Sequence, residues 1–333
     1  MDDSMSIADA SPARTVLVTG AAGVMGIRLV RGLVGDGWRV RAVVFPRDPL
    51  RARLDGLGCD IREADIGDAS SLRGIFDGVD TIYHLAAVII SHDPLVFVRV
   101  NQNGTAHLID EAVRAGVRHF IYVSSASVTY PKRTRYADSK LAAEELVRVQ
   151  TSFAFTIVRP TLVYDAGGGQ ELLMFLDYLR RFPIVPFIGS GSAVKRPVWA
   201  GDIIDGLLRL AGNPVCHGKT YNFSGGEPIS MIDFARLLLE HVGQPRPFVH
   251  VPVSLCRALA SVMGRLMDRP PLTPNAIAGI INDTDLDPMQ AMNDIGYRPL
   301  SVREGLRRHF PIEALDLGGQ RTGLASNPEG TST

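Results

Sequence analysis

A glycine-rich turn between an apolar run and a helical pattern constrains the fold more than any other feature. Residues 15–19 (TVLVT) are short, apolar and mostly β-branched, which is typical of a buried strand. Residues 24–34 then repeat apolar side chains at helical spacing, and a second strand is predicted over 38–45. Between the first strand and the helix stand three glycines, Gly20, Gly23 and Gly26. This order predicts a unit that binds a dinucleotide, with its pyrophosphate at the helix N-terminus.

Short apolar runs continue to alternate with helical segments up to residue 160. The predicted strands are residues 59–63, 81–85, 119–124 and 155–159. The predicted helices between them are residues 70–76, 101–115 and 136–150. Alternation of this kind indicates an α/β fold with a doubly wound parallel (Rossmann) sheet, whose ligands lie beyond the carboxyl ends of the strands.

Beyond Pro160 the content of glycine and proline rises, and strands are harder to place. Two helices are still clear, because Ser230 precedes residues 231–242 and Ser301 opens a capping box with Glu304. We therefore expect a smaller C-terminal lid that binds the substrate in a cleft. The expected divisions are a flexible leader (1–13), the Rossmann domain (14–165), a mainly substrate-binding lid (166–316, returning to the Rossmann domain around 195–223) and a disordered tail (317–333).

One tyrosine and one lysine on a predicted helix indicate a chemistry. Tyr136 and Lys140 are four residues apart, so both side chains lie on one face of the helix. A neighbouring positive charge favours tyrosinate and lowers the phenol pKa from its usual value of about 10, which would create a base. The alternative is a solvated helix face, and the glycine turn upstream is what favours the base.

Composition narrows the classes of partner. Lys and Arg (35) balance Asp and Glu (35), so the charge indicates neither nucleic acid nor an anionic membrane. Three scattered cysteines and the absence of a signal-peptide pattern predict a cytoplasmic protein without a disulfide framework. Arg257 and Arg265 interrupt the apolar stretch 251–267, which favours a packed amphipathic helix over membrane-surface contact and excludes a span. No histidine spacing indicates a metal site.

Several short motifs follow one another in a recognisable order. They are residues 19–26 (TGAAGVMG), 65–66 (DI), 84–87 (HLAA), 101–105 (NQNGT), 124–128 (SSASV), the pair Tyr136/Lys140, and 159–160 (RP). Over residues 15–311 the chain resembles the extended short-chain dehydrogenase/reductases, in particular the NAD-dependent epimerase/dehydratase branch that acts on nucleotide-diphosphate sugars. The resemblance implies an enzyme, an oxidoreductase or isomerase, that uses NAD or NADP.

The resemblance also implies roles for individual residues. Tyr136 would exchange a proton with a substrate hydroxyl, Lys140 would lower the tyrosine pKa and hold the nicotinamide ribose, and Ser125 would bind the same substrate oxygen. Ser124 is the competing assignment for the serine. The residues expected to contact the cofactor are Gly20, Ala22, Gly23, Val24, Met25, Arg47, Asp65, Ile66, Leu85, Ala86, Ala87, Asn101, Ser124, Tyr136, Lys140 and Pro160. Lys195 and Arg196 would hold the diphosphate of the substrate, with Ser125 and Tyr136 at the reacting carbon.

One departure from the family pattern affects the predicted reaction. Dehydratases carry Asp-Glu after the catalytic hydroxyl residue, whereas this chain has Ala126 and Ser127, so dehydration is not expected. An epimerase of a nucleotide sugar, acting by transient oxidation of a carbinol, is the first interpretation. A sugar-nucleotide ketoreductase or hydroxysteroid-type dehydrogenase is the alternative, and a non-catalytic NAD(P)-binding sensor or structural subunit belongs to another class. A homodimer through helices 101–115 and 136–150 is what the family suggests.

The choice between NAD and NADP depends on the end of the second strand. NAD enzymes generally carry a carboxylate there for the ribose 2′-hydroxyl. This chain has Arg47 instead, and Asp48 is the first carboxylate to follow. A guanidinium suits the 2′-phosphate of NADP. We therefore favour NADP slightly over NAD, which Asp48 could still serve.

Overall fold

The computed structural model describes residues 14–91, 93–165, 170–267 and 272–309. The predicted leader and tail lie outside these ranges, so both stay predictions. The domain boundaries also stay predictions, and the lid is treated below only through its described residues.

A seven-stranded sheet forms the centre of the molecule. Its strands, all parallel, are β1 (Thr15–Thr19), β2 (Arg39–Val44), β3 (Asp60–Glu63), β4 (Thr81–His84), β5 (His119–Val123), β6 (Ala154–Pro160) and β11 (Lys219–Phe223). Their order across the sheet is β11-β6-β5-β4-β1-β2-β3. Because the order reverses beside β1, the sheet is doubly wound, and the predicted fold class is confirmed.

Helices cover both faces of this sheet. Those of the first half are α1 (Val24–Gly35), α2 (Pro94–Val96), which runs into a π-helix (Phe97–Asn103), α3 (Gly104–Ala115) and α4 (Arg135–Arg148). Val16 and Val18 of β1 pack on the face covered by α1, whereas Leu17 packs on the face covered by α3 and α4. Burial on both faces explains why the central strands β1, β4 and β5 are buried almost throughout, whereas the edge strand β3 is mostly exposed.

One predicted helix of the first half is wrong. Residues 70–76 do not form an α-helix; only a 3₁₀ turn, Ala69–Leu72, forms there, capped by the Asp68 carboxylate, which accepts from the Ser70 N–H. Gly74 follows with φ +74°, a left-handed conformation that a right-handed helix cannot contain. Leu72, Ile75 and Phe76 are nevertheless buried, so their apolar spacing reflects core contacts of an irregular segment.

In the residues that the structure describes, the second half of the chain forms helices and short strand pairs. Its helices are α5 (Gln170–Arg181), α6 (Ala200–Leu208), α7 (Met231–His241), α8 (Val253–Leu266), α9 (Pro274–Ile281), α10 (Met289–Ile295) and α11 (Val302–His309). Its short strands are β7 (Val163–Tyr164), β8 (Val185–Ile188), β9 (Val194–Lys195), β10 (Val198–Trp199), β12 (Ile229–Ser230) and β13 (Phe248–Val251). The serine caps predicted at Ser230 and Ser301 are both present.

Three contacts define how this half meets the Rossmann sheet. The edge strand β11 comes from the second half and pairs with β6. Arg28 on α1 forms an ion pair with the buried carboxylate of Asp165 at 2.8 Å. α6 packs with α1 on one face of the sheet. The sheet is therefore completed and fastened by residues that are distant in sequence.

Helix α8 confirms a helix within 251–267, but its packing is one-sided. Only Cys256 and Ala260 of this helix are buried. A row of apolar side chains at helical spacing is exposed, namely Leu255, Leu259, Val262 and Leu266. The helix packs against Ile188 and Ile277 through Cys256 and Ala260, with Val253 at the side of this cluster.

Candidate functional site

The glycine turn after β1 has a backbone that side chains would obstruct. Gly20 has φ +68°, and a Cβ there would lie 2.9 Å from the Ala86 nitrogen. A Cβ on Gly26 would lie 2.1 Å from the Gly20 carbonyl oxygen. Gly23 caps α1 without a side-chain hydrogen bond, and the first turn of α1 contains no acidic residue. These features fit a pyrophosphate, which binds to backbone N–H groups at a helix N-terminus.

The other residues expected at the cofactor lie along the same carboxyl edge. Leu85, Ala86 and Ala87 follow β4 and are half-buried, and Pro160 ends β6. Beyond β3, Asp65 accepts a hydrogen bond from the Gly67 N–H at 2.8 Å and pairs with Arg99 at 2.9 Å. Ala22 and Ile66 are buried, whereas Val24 and Met25 are half-buried in the first turn of α1.

The loop after β2 places an arginine in an unusual conformation. Arg47 is exposed and has φ +59°, the only positive φ of a non-glycine residue among those described. The carboxylate of Asp48 accepts a hydrogen bond from the Leu50 N–H at 2.8 Å and so supports the turn that follows. Asp48 is thus engaged locally, while Arg47 is exposed to solvent.

The two candidate serines differ in their surroundings. Ser124 is 5 % exposed, and its hydroxyl has no hydrogen-bond partner among the described residues. Ser125 is half-buried and caps the 3₁₀ turn Ala126–Thr129, where its Oγ accepts from the Ser127 N–H at 3.2 Å. The two hydroxyls of Ser125 and Ser127 are 2.9 Å apart. Ser127, at one of the positions where dehydratases carry an acid, therefore contacts the serine expected to bind substrate.

Lys140 is buried one helical turn after Tyr136. Both lie on α4, which begins at a Thr134 cap, and Lys140 is only 2 % exposed while Tyr136 is half-buried. The Lys140 ammonium donates to the Val123 carbonyl at 2.7 Å and stands 4.2 Å from the centre of the Tyr122 ring. Burial lowers the pKa of Lys140 to about 7, and the carboxylate of Glu144 opposes this shift.

A buried ion pair supports the same helix. Glu144 is fully buried and receives two hydrogen bonds from Arg159 at the end of β6, at 2.9 and 2.6 Å. Breaking a buried, hydrogen-bonded pair costs about 3–5 kcal/mol. Sequence reasoning missed Tyr122 and Glu144; the one available signal was that Glu144 lies four residues beyond Lys140 on the same helix face.

The two lid cations expected at a diphosphate are held by groups of the protein. Lys195 is 2 % exposed, and its ammonium donates to the Asn282 carbonyl and lies 5.8 Å from the Tyr130 ring centre. Burial lowers the pKa of Lys195 to about 8, with Asp283 opposing. Arg196 pairs with Asp285 at 2.5 Å. Their role toward a substrate stays a prediction.

An apolar rim follows β4 in the chain. We give this name to the exposed side chains of Ile89, Ile90 and Leu95. The Asn101 amide links the residue before the rim, Val88, to α4, because it accepts from the Val88 N–H, donates to the Val88 carbonyl and donates to the Ser139 hydroxyl at 3.0 Å.

Neither a metal site nor a membrane span is found in the part of the chain that the structure describes. No group of three His, Cys, Asp or Glu side chains there could hold a metal ion. None of the described helices combines the length and apolar character needed to cross a bilayer.

Comparison with known sequences finds a matching family model and relatives that align with most of this chain. Residues 16–223 match the model of the NAD dependent epimerase/dehydratase family. A 3 beta-hydroxysteroid dehydrogenase/Delta 5-->4-isomerase of Mycobacterium tuberculosis is 30% identical over 89% of this chain and 89% of its own length. A 2-alkyl-3-oxoalkanoate reductase of Stenotrophomonas maltophilia is 28% identical over 88% of this chain and 97% of its own.

Solved structures share the fold. The UDP-glucuronic acid 4-epimerase from Bacillus cereus, in complex with UDP-glucuronic acid and NAD, has a TM-score of 0.68 at 20% identity. The match covers 91% of this chain and 99% of that one. At this identity the likeness concerns the arrangement of strands and helices.

Proposed function

Since this chain belongs to the NAD-dependent epimerase/dehydratase family and is an NAD(P)-dependent enzyme of the short-chain dehydrogenase/reductase type, we propose that it interconverts a secondary alcohol and a ketone on a largely apolar substrate, as a hydroxysteroid-type dehydrogenase or ketoreductase. The observation that carries the proposal is the buried ammonium of Lys140, one helical turn from Tyr136 at the carboxyl edge of the sheet.

The proton chemistry belongs to Tyr136. In oxidation it accepts the proton of the substrate hydroxyl, and in reduction it returns that proton to the carbonyl oxygen. Lys140 stabilises the tyrosinate because its positive charge is held near by α4. Ser125 donates a hydrogen bond to the same substrate oxygen and orients it. The bound nicotinamide supplies the hydride chemistry at the carbinol carbon.

The proposed cofactor contacts lie at the carboxyl edge of the sheet. We propose that Gly20, Gly23 and the first turn of α1 bind the pyrophosphate, which the close backbone approach there supports, and that Lys140 binds the nicotinamide ribose. We propose NADP as the preferred cofactor, because Arg47 is exposed while the Asp48 carboxylate is engaged with Leu50.

Two observations favour an apolar substrate over a nucleotide sugar. Lys195 and Arg196, which a diphosphate would need, are already bonded to Asn282 and Asp285. The apolar rim follows Val88, which Asn101 links to Ser139 of α4, and its exposed side chains can pack against a hydrocarbon body. The relatives named above as a hydroxysteroid dehydrogenase and an oxoalkanoate reductase support the same choice.

The test compares candidate substrates, and the absorbance of the reduced nicotinamide monitors each reaction. We expect net reduction of NADP⁺ with a 3β-hydroxysteroid, or net oxidation of NADPH with a long-chain 3-oxoalkanoate. Tyr136→Phe should lower turnover about 10²–10⁴-fold while cofactor binding survives. Unchanged turnover in that variant would contradict the assignment of Tyr136 as the base.

Epimerisation of a nucleotide sugar is the second candidate. It is favoured by the residues after the serine, since Ala126 and Ser127 leave no acid for dehydration, and by the shared fold of the UDP-glucuronic acid 4-epimerase. An epimerase recycles its cofactor. Conversion of UDP-glucuronic acid or UDP-glucose to its 4-epimer without net change in NAD(P)H would establish this candidate and overturn the first.

A further inference from the structure

A buried histidine lies beneath the cofactor side of the sheet, and the function proposed above gives it no role. His84 ends β4 and is 1 % exposed. Its Nδ1 is 2.8 Å from the Thr19 hydroxyl at the end of β1, and its Nε2 is 2.9 Å from the Thr105 hydroxyl on α3. Both ring nitrogens are therefore bonded to hydroxyls that belong to different elements.

The neighbours of the two threonines fix the direction of each bond. The Thr105 hydroxyl also lies 2.6 Å from the Asn101 carbonyl oxygen, which can only accept, so the single hydroxyl proton of Thr105 points there. The Thr105 oxygen must then accept from Nε2–H of His84. On the other side, the Thr19 oxygen accepts from the Ala86 N–H at 3.2 Å and its own proton is available to Nδ1.

The ring stays neutral in this arrangement. Burial, and then the charge of Lys140, place the pKa of His84 well below its ordinary value of 6.5. A second proton on the ring would also remove the acceptor that Thr19 needs. The hydrogen bonds therefore assign His84 the tautomer with hydrogen on Nε2.

The two bonds of the ring connect parts of the site that are distant in sequence. Through Thr19 the ring reaches the Ala86 N–H, next to the close approach between Gly20 and Ala86. Through Thr105 it reaches the main chain of Asn101, whose amide donates to the Ser139 hydroxyl. The Ser139 hydroxyl in turn donates to the Tyr136 carbonyl at 2.8 Å.

We propose that His84 is a positioning residue, which as the Nε2–H tautomer sets the distance between the glycine turn that receives the cofactor and the helix that carries Tyr136. The proposal rests on the proposed function for the role of Tyr136, but its effect on cofactor binding does not depend on the substrate. His84 exchanges no proton with substrate or cofactor. It holds Thr19 and Thr105 at opposite edges of one rigid ring.

Substituting His84 with asparagine or with glutamine tests its two hydrogen bonds separately. Asparagine places a polar atom at the position of Nδ1 and retains the link to Thr19, whereas glutamine places one at the position of Nε2 and retains the link to Thr105. We expect His84→Asn and His84→Gln each to raise the Kd for NADP⁺ about tenfold, measured by titration calorimetry. Thr105→Val nearly keeps the side-chain volume and should raise the Kd for NADP⁺ by a similar factor. This variant tests the same hydrogen bond even if the His84 variants fail to fold.

His119 is the matched control. It is equally buried, at 3 % exposure, and its Nε2 is bonded to the Thr156 hydroxyl, which donates to the Cys216 carbonyl at 2.7 Å. It begins β5, so it lies at the amino edge of the sheet, away from the glycine turn. His119→Asn should lower the Tm and leave the Kd for NADP⁺ unchanged.

A double variant separates positioning from general loss of stability. His84→Asn already lacks the bond to Thr105, so adding Thr105→Val should raise the Kd by less than the product of the two single effects. If the His84 and Thr105 variants lower the Tm as His119→Asn does while the Kd stays constant, His84 is structural and the proposal is wrong. Fully multiplicative effects would also overturn it. Failure of Tyr136→Phe to lose turnover would instead contradict the proposed function alone.

Discussion

Two lysines, one in each half of the molecule, are buried in closely similar ways. Lys140 and Lys195 are each 2 % exposed, and each donates to one backbone carbonyl. Each ammonium also lies near a tyrosine ring, at 4.2 Å from Tyr122 and 5.8 Å from Tyr130. Burial lowers the pKa of both, to about 7 and about 8.

The two lysines differ in the elements that hold them. Lys140 lies in the middle of α4, where the Glu144–Arg159 pair fixes the helix to the end of β6. Lys195 ends a two-residue strand, β9, and is bonded to the Asn282 carbonyl. A buried lysine with a lowered pKa therefore does not identify a catalytic site. The tyrosine one turn earlier and the carboxyl edge of a parallel sheet are what single out Lys140 as the proposed catalytic lysine.

Replacing each lysine in turn with methionine should give the largest difference between the two sites, and the difference should appear in turnover. Lys140→Met removes the charge that stabilises the Tyr136 anion, and we expect turnover to fall about 10²–10⁴-fold. Lys195→Met should keep turnover within about tenfold, because the proposed substrate needs no cation there. The measurement is kcat with the best substrate of the comparison above, with folding checked by circular dichroism. A KM that rises strongly for a nucleotide sugar in Lys195→Met would favour the epimerase instead.

The pH dependence of stability should show the two lysines as alike. Because the folded pKa of Lys140 is about 7 against an ordinary 10.5, the unfolded chain binds more protons between these values. The free energy of unfolding should therefore rise with pH across that window, by up to about 1.4 kcal/mol per pH unit for this group. This gain in stability is lost again as the pH falls toward 7. For Lys195 the window begins at about 8.

Urea unfolding at several pH values tests this equivalence. Lys140→Met should flatten the slope from about pH 7 upward, and Lys195→Met from about pH 8 upward. If only one of the variants changes the slope, the two sites differ in charge state as well as in surroundings, and the comparison fails.

Arg47 offers a smaller effect confined to the Rossmann half. Arg47→Ala should weaken NADP⁺ about tenfold and leave NAD⁺ nearly unchanged, because the guanidinium meets only the 2′-phosphate. Binding titrations with the two cofactors measure the ratio. The control is Arg51→Ala. Arg51 is another arginine close to the same loop, and it is paired with Asp55. Equal weakening of both cofactors would contradict a role in selecting NADP.

The smallest effect is expected on the outer face of the lid. Leu259 is 47% exposed, so Leu259→Ser should change the free energy of unfolding by less than about 0.5 kcal/mol. Leu238 on α7 is fully buried, and Leu238→Ala should cost about 2–5 kcal/mol. Denaturant unfolding compares them. A large loss in Leu259→Ser would mean that the exposed row on α8 contacts something in solution.

The parts predicted from sequence are those whose partners are local. The glycine turn, α1 and the Ser230 and Ser301 caps were predicted because their signals lie within a few residues. The short strand β9 was not predicted, because its pairing with β12 depends on residues far along the chain. The motif that contains His84 was recognised, but its contacts with Thr19 and Thr105 were not, because they cross three elements.

The origin of the edge strand has a consequence for synthesis. During translation β6 is complete at Pro160, but its outer edge has no partner until β11 is made, ending at Phe223. For that interval the nascent chain carries an unpaired parallel edge, which is a template for aggregation. A gene fragment that ends near residue 165 should therefore give insoluble protein, and one that continues past α6 and β11 should be the shortest to yield a soluble dinucleotide-binding unit.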